Sequence, residues 1–560
     1  MYFRGDIIMS KGTGRISDIL FSIYRYIVLG IFLFINIWLF LLSIFSTSRL
    51  TQDANEYTYY TFDYFWLHIL TLAALAAFVY FLVNRRILQH INAYYTRNKK
   101  AYIKTRNICL IITGIIGAAW VLLTQSHAGA DQYYVLKAAE GLRNGDYSAF
   151  QYDGYIAKYT NQIGLLFIEY LIGFIVGDYN YIFWQLLNVV MVVFTYKLFS
   201  DILALFNMPR LACLLAPVSG ILFFPWTLYS VFIYGNVAGL FFAALSFKYA
   251  LLFIGSADEK CSVKYLLISG LAMMLSVMVK NNYLIFMIAL IIYTVAEMLR
   301  RRNIQIILLS FAVIAGFCMQ AVIPKLVIEK ITGCNLNNGA SSWAWIDMGL
   351  RPNAGTTYAD GWYNGRIAAL YENNGYDTKK EAVAAKEEIR AYLELYRNDS
   401  KALVSFLSKK VASQWNNPEF QCFWITNVRG SNIRQSSLIT GILSVKDNSA
   451  HMNYLNILQS LILFGSMLYA IDAFFRKAFA GTTVLPLTFI GGFIFHIFWE
   501  GKCQYTLPYF MNLIPLCIMG YYYMAKRITD TSKERLLKCG IWAAVFIFIT
   551  IAFNRFIIIK

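Results

Sequence analysis

Ionisable residues are scarce in this chain, and those that could do chemistry stand at the ends of long apolar runs. Asp131 lies just past the run 107–125, in Ser126-His-Ala-Gly-Ala-Asp131-Gln-Tyr-Tyr134. Tyr134, Ala138 and Leu142 recur at fourfold spacing and Asn144-Gly145 closes the segment, which predicts a short helix. A carboxylate at a membrane boundary can reach water or a hydroxyl while facing a lipid-borne group, so Asp131 reads as a general base. The plainer alternative is that it only caps the helix. Lys280, in Met278-Val-Lys-Asn-Asn-Tyr283, breaks another pair of apolar runs, and so do Glu500 and Lys502 in Trp499-Glu-Gly-Lys-Cys-Gln-Tyr505. Lys280 could equally snorkel to the interface. Glu500 and Lys502 could be an exposed, weak ion pair.

The elements that must position these residues are membrane helices. Of 560 residues, 58% are hydrophobic and only 14% charged, with a mean hydropathy of +0.52. Ordinary soluble proteins carry about 25% charged residues. This composition excludes a soluble enzyme, a disordered chain and a disulfide scaffold, and leaves a polytopic membrane protein. Candidate spans lie at 25–46, 64–84, 107–125, 162–177, 181–200, 209–224 and 233–254. Seven more follow at 264–280, 282–298, 304–323, 453–472, 482–499, 505–524 and 538–556.

The net charge of +18 decides among them. With Arg4, Lys11 and Arg15 inside, the next inner loop holds Arg85, Arg86, Arg97, Lys99, Lys100, Lys104 and Arg106 without an acid. If 162–177 also crosses, Arg300-Arg301-Arg302, Arg476-Lys477 and the Lys526/Arg527/Lys533/Arg535/Lys538 group fall outside, against the positive-inside rule. The run is short and carries Glu169 at its middle, which costs about 2.5 kcal/mol or more at a helix centre. We therefore read it as a re-entrant or surface-lying outer helix. The expectation is an all-α protein with about thirteen transmembrane helices, N-terminus in and C-terminus out. Tyrosines beside the basic inner loop could suggest RNA, but anionic inner-leaflet lipid explains the loop more cheaply, and no nucleic-acid partner is expected.

Four parts follow: a two-helix extension with its basic loop (1–106), a core (107–323) with the first outer loop 126–180, an extracytoplasmic domain (324–452) and C-terminal helices (453–560). In the third part Thr378-Lys-Lys-Glu381 has the form of a capping box before a Glu/Lys/Ala/Leu-rich helix, and Asp399 or Ser400 can cap a second helix to about Trp415. Cys334 and Cys422 share this part and could pair there. No cleavable signal is expected, since the first apolar run, Arg25 to Ser46, is long enough to span and no small-residue cleavage site follows it. The histidines have no metal-ligand spacing, and there is no P-loop or dinucleotide fingerprint. Asp146 and Asp153 read as turn residues.

Asp131-Gln132-Tyr133-Tyr134, the Gly-Asp146-Tyr turn and Tyr159-Thr-Asn161-Gln162-Ile-Gly164 together resemble the first outer loop of GT-C glycosyltransferases. The likeness is to family 39, the protein O-mannosyltransferase and aminoarabinose transferase type, over roughly 107–325 and 453–525. Met278-Val-Lys280-Asn-Asn-Tyr283, Trp415-Asn-Asn-Pro418 and the late motif with Glu500, Lys502, Tyr505 and Pro508 extend it. Asp131-Gln132 departs from the paired acids of many relatives, Thr160 replaces a proline, and Gln504 stands where an arginine is usual.

The resemblance implies a GT-C-like core, a juxtamembrane outer helix and a glycosyltransferase using a sugar on a polyprenyl phosphate. Asp131 would be the catalytic base, and Lys280 and Lys502 would hold the donor phosphate. Glu500 would orient Lys502, and Glu169, Tyr505, Tyr134, Asn161 and Gln162 would support the site or bind the acceptor. The acceptor would be a cell-wall polymer, a lipid-linked glycan or a protein; membrane lipid is the other partner. No cofactor besides the donor is implied, and the place of a divalent metal stays open. The expected location is the cytoplasmic membrane of a bacterium, active on the extracytoplasmic face of the cell envelope. The rival readings are a transporter or flippase for a lipid-linked glycan and a non-catalytic membrane scaffold.

Overall fold

A computed structural model describes residues 16–51, 56–256, 262–336, 339–353, 359–431, 436–443, 449–475 and 481–530. The expected last span, 538–556, the first basic cluster and Arg476-Lys477 lie outside the described residues. The first half is nearly all helical: α1 (Ile16–Phe45), α2 (Phe65–Asn84), α3 (Ile87–Arg97), α4 (Lys99–Thr124), α5 (Asp131–Asn144), α6 (Tyr155–Lys158), α7 (Ile163–Val176), α8 (Tyr181–Leu205), α9 (Arg210–Leu222), α10 (Phe224–Leu228), α11 (Asn236–Ser256), α12 (Val263–Val279), α13 (Leu284–Arg301) and α14 (Leu308–Thr332).

Eight helices among the described residues are long and apolar enough to cross a bilayer: α1, α2, α4, α8, α11, α13 and α14 with their leading turns, and α21 (Ala450–Phe475), introduced with its neighbours below. Two bent pairs raise the number to ten if each is one span. The expected count of about thirteen is not confirmed among the described residues. Runs that look continuous in composition are short or broken: α12 has 17 residues, and 505–524 is interrupted around Asn512. The α2 helix shows why these are lipid-facing elements. Of its residues only His68 and Val83 are buried, while Trp66, Leu70 and Phe78 point outward, an apolar face that water would not tolerate. The run 162–177 forms α7, which meets the preceding segment 148–158 at 96°, so the two cannot be one straight span.

The remaining helices are α15 (Ser342–Leu350), α16 (Arg366–Asn373), α17 (Thr378–Asn398), α18 (Ser400–Trp415), α19 (Cys422–Trp424), α20 (Ser437–Leu443), α21, α22 (Val484–Phe498), α23 (Cys503–Met511) and α24 (Leu513–Asp530). Helix α14 runs on to Thr332, past Pro324, so the polar segment starts later than the apolar run ends. Helices α15 to α17 enclose a small core of Ala344, Met348, Ile367, Leu370 and Ala385. The capping box does not form. Asp377 is the N-cap of α17, accepting from the Lys379 and Lys380 amides, and Glu381 instead accepts from the Ser341 amide at 2.5 Å. Asp377 wins because its carboxylate already lies on the first free amides of the helix. Asp399 caps α18 as expected. Cys334 and Cys422 are both free.

Two short strand pairings depart from the all-helical expectation, and the smaller joins His127–Ala128 to Gly430–Ser431. Between α1 and α2, β1 (Ser46–Leu50) and β2 (Thr58–Phe62) form an antiparallel hairpin with Ser48 opposite Tyr60. The Asn416 amide donates to Ser46 O at 2.5 Å and the Tyr60 hydroxyl to Lys409 O at 2.9 Å, seating the hairpin on α18.

Candidate functional site

The backbone ahead of Asp131 is strained. Ala130, the residue before α5, has φ +51° and ψ −133° and offers no capping side chain. Such a conformation in a non-glycine residue costs on the order of 1–3 kcal/mol and persists only where surrounding contacts impose it. Asp131 is the first helical residue, exposed, and is not the cap. One such contact comes from its neighbour: buried Gln132 accepts from the Ile233 amide at 2.8 Å, tying the start of α5 to the loop before α11. Gly145 ends the helix in the left-handed conformation that Asn144-Gly145 predicts.

The loop before α11 also holds Tyr234. Gln162 donates to the Tyr234 hydroxyl at 2.5 Å, and Tyr155 interacts with both that hydroxyl and the Asp131 carboxylate. Lys280 caps the end of α12 in extended backbone. Its Nζ donates to Tyr234 O at 3.3 Å, lies 3.9 Å from the centre of the Tyr234 ring and 5.3 Å from that of Tyr505. Gly235 makes this approach possible: its φ is +79° and a Cβ there would overlap the Val279 carbonyl. Lys280 therefore points into protein between two tyrosine rings and does not snorkel.

The late motif forms the opposite wall. Lys502 Nζ is 3.5 Å from Glu500 Oε1, and 3.1 Å from each oxygen of Glu56, which arrives from the N-terminal hairpin. The alternative of an exposed, weak ion pair does not hold: Lys502 and Glu500 are each 6% exposed and Glu56 2%. Three supports hold the loop. Gly501 bridges Trp362, its amide donating to Gly361 O at 2.8 Å. Trp345 stacks on Trp499 at 5.9 Å and 8°. Lys410, 1% exposed, donates to Gly349 O and, at 2.9 Å, to Ile497 O and Trp499 O. Gln504 is buried, with its amide donating to Gln421 Oε1 at 2.9 Å.

These groups share one electrostatic neighbourhood. Asp131, Glu500 and Lys502 all act on Lys280, and Asp131 with Glu56 acts on Glu500. Tyr159 and Tyr363 feel both Asp131 and Glu500. Burial pushes the Glu500 carboxyl up to about 7; Lys502 opposes the shift, and Glu56 and Asp131 add to it. A carboxyl poised near neutrality beside two amines and a ring of phenols can exchange protons and orient a phosphate or a sugar hydroxyl.

Asp131, Lys280, Lys502, Glu500, Tyr505 and Gln162 are thus brought together. Tyr134 stacks on Tyr155 at 5.1 Å and stands at the rim. Asn161 is exposed on the turn before α7. Glu169 is buried in α7 and, of the charged groups, only Arg143 acts on it; it lies apart from the cluster. Glu56, Tyr155, Tyr234, Tyr363 and Lys410 were not legible from sequence. Glu56 stands in a short polar stretch without periodicity, and only pairing of the hairpin aims it inward. An aromatic at the break of two runs is the sole signal for Tyr234. Among the described residues no group of three or more His, Cys, Asp or Glu could hold a metal ion. No family model, no curated protein and no solved structure matches this chain.

Proposed function

We propose that the chain is an integral-membrane glycosyltransferase of GT-C type. It moves one sugar from a polyprenyl-phosphate donor to an acceptor hydroxyl on the extracytoplasmic face. The observation that carries this reading is the gathering of Asp131, Lys280, Glu500 and Lys502 with five tyrosines at the ends of apolar helices. The acceptor hydroxyl attacks the anomeric carbon, Asp131 takes its proton, and the bond to the phosphate oxygen breaks. The polyprenyl phosphate leaves with its charge met by lysine. Two features support Asp131 as the base: it does not cap its helix, and the backbone before it is strained. In the proposed topology of about thirteen crossings, α7 lies on the outer surface. The sharp bend before it and its buried central Glu169 support that placement.

The test is donor turnover by purified protein supplied with polyprenyl-phosphate sugars. Asp131→Asn is expected to lose at least about a hundredfold in rate. Full turnover in that variant would remove Asp131 from the mechanism, and no turnover by the wild type with any donor would remove the transferase reading.

A further inference from the structure

Lys502 is the cation that the late motif offers to the donor phosphate, yet in the fold its ammonium is already enclosed. Glu56 contacts it through both oxygens at 3.1 Å, Glu500 at 3.5 Å, and the Tyr363 ring centre lies 5.0 Å away. Three separate parts of the chain therefore meet on one amine: the N-terminal hairpin, the outer segment and the late loop. Glu56 itself is in a left-handed conformation, φ +54°, with the chain closed around it by Thr51 N–H donating to Tyr57 O at 2.9 Å. A buried carboxylate on strained backbone is costly unless its partner requires it. Two carboxyl groups also already engage the one ammonium, so its charge is largely met. That arrangement is poorly suited to receiving a phosphate. Lys280 is different: its ammonium meets a backbone carbonyl and two aromatic rings, and among the described residues no carboxylate lies in salt-bridge range of it.

We infer that Glu56 is a positioning residue which clamps Lys502 against Glu500, so that Lys502 organises the site while Lys280 is the cation presented to a phosphate monoester. The clamp stands on geometry alone; the phosphate half rests on the transferase reading. It gives the N-terminal extension a place in the site. It also divides two lysines that the motif treats as equivalent.

Amine acylation read by mass spectrometry tests both halves without any turnover. In intact protein in vesicles, Lys502 should label far more slowly than exposed Lys379. Removing a carboxylate in contact with a lysine shifts its pKa by about one unit or more, so Glu56→Gln should raise Lys502 labelling about tenfold. Unchanged labelling in that variant overturns the clamp. Buried Lys410 is the fold sensor, and Tyr60→Phe, which removes the hydroxyl contacts of the hairpin with α18 but leaves the Asn416–Ser46 bond, should leave Lys502 protected. Glu56→Asp keeps the charge and should retain most of the protection. If it labels freely while Lys410 stays protected, packing and not charge guards Lys502 and the assignment falls. Adding undecaprenyl phosphate to the vesicles should protect Lys280 and leave Lys502 unchanged. Protection of Lys502 alone overturns the division between the lysines. Protection of neither, with the Glu56→Gln result intact, keeps the clamp and removes the phosphate-binding reading.

Discussion

Lys410→Met is the perturbation that most directly tests how the site is assembled. The variant keeps the length and most of the volume of the side chain and removes only the charged head. Burial pulls the Lys410 pKa down, but three carbonyls occupy all three N–H donors, so we take the group as the ammonium. Its removal strands the carbonyls of Gly349, Ile497 and Trp499 in a place where water does not reach, since Lys410 is 1% exposed. A buried acceptor left unpaired costs about 1–3 kcal/mol. Taking the lower end for each, the loss is about 3–5 kcal/mol, within the range for breaking a buried charged contact. At about 2 °C per kcal/mol for a cooperative unit of this size, the melting temperature should drop by roughly 6 °C or more. The assay is thermal unfolding of purified protein in detergent, with Lys410→Arg as a partial rescue. Because these carbonyls flank Glu500, turnover should fall as well. A Lys410→Met protein that melts within about 1 °C of the wild type would refute the claim that this ammonium fastens α15 and α18 to the late loop.

Two further outcomes follow from the same geometry. Glu500 has a folded-state pKa near 7 against an ordinary value of 4.5, so the folded protein holds a proton that the unfolded chain releases. Its contribution to stability is fully present below about pH 4.5 and lost as pH rises through about 7. The melting temperature of the wild type should therefore fall between pH 5 and 8 more than that of Glu500→Gln, and parallel curves would contradict this. In the bundle, a Cβ at Gly520 would overlap the carbonyl oxygen of Gly465 where α24 crosses α21. Gly520→Ala should cost about 1–3 kcal/mol, read as a lower melting temperature with no change in the pH dependence.

The sequence by itself determined the class of protein and most of its elements. Long apolar runs form helices because the bilayer leaves a spanning backbone no other way to satisfy its polar groups, and α1, α2, α4, α8, α11 and α21 lie where those runs are. Local chemistry was equally legible where it depends on a few neighbouring residues: Gly145 ends α5 and Asp399 starts α18. Local reading failed where two local solutions compete, as when Asp377 takes the cap from Thr378. Composition also hides breaks, as at Asn512, where one apolar run is divided between α23 and α24.

What only the tertiary structure decided is the site's charge arrangement. Asp131, Lys280 and Lys502 are each visible as charges at the ends of apolar runs, but no pattern in the chain joins Glu56 to Lys502 across 446 positions. That contact exists because the hairpin is seated on α18, and α18 is in turn fastened to the late loop through Lys410. Coulomb energy depends on distance and burial, neither of which is written in sequence spacing. The sequence therefore names the charges, while the fold decides which of them are spent on one another and which one remains to meet a ligand.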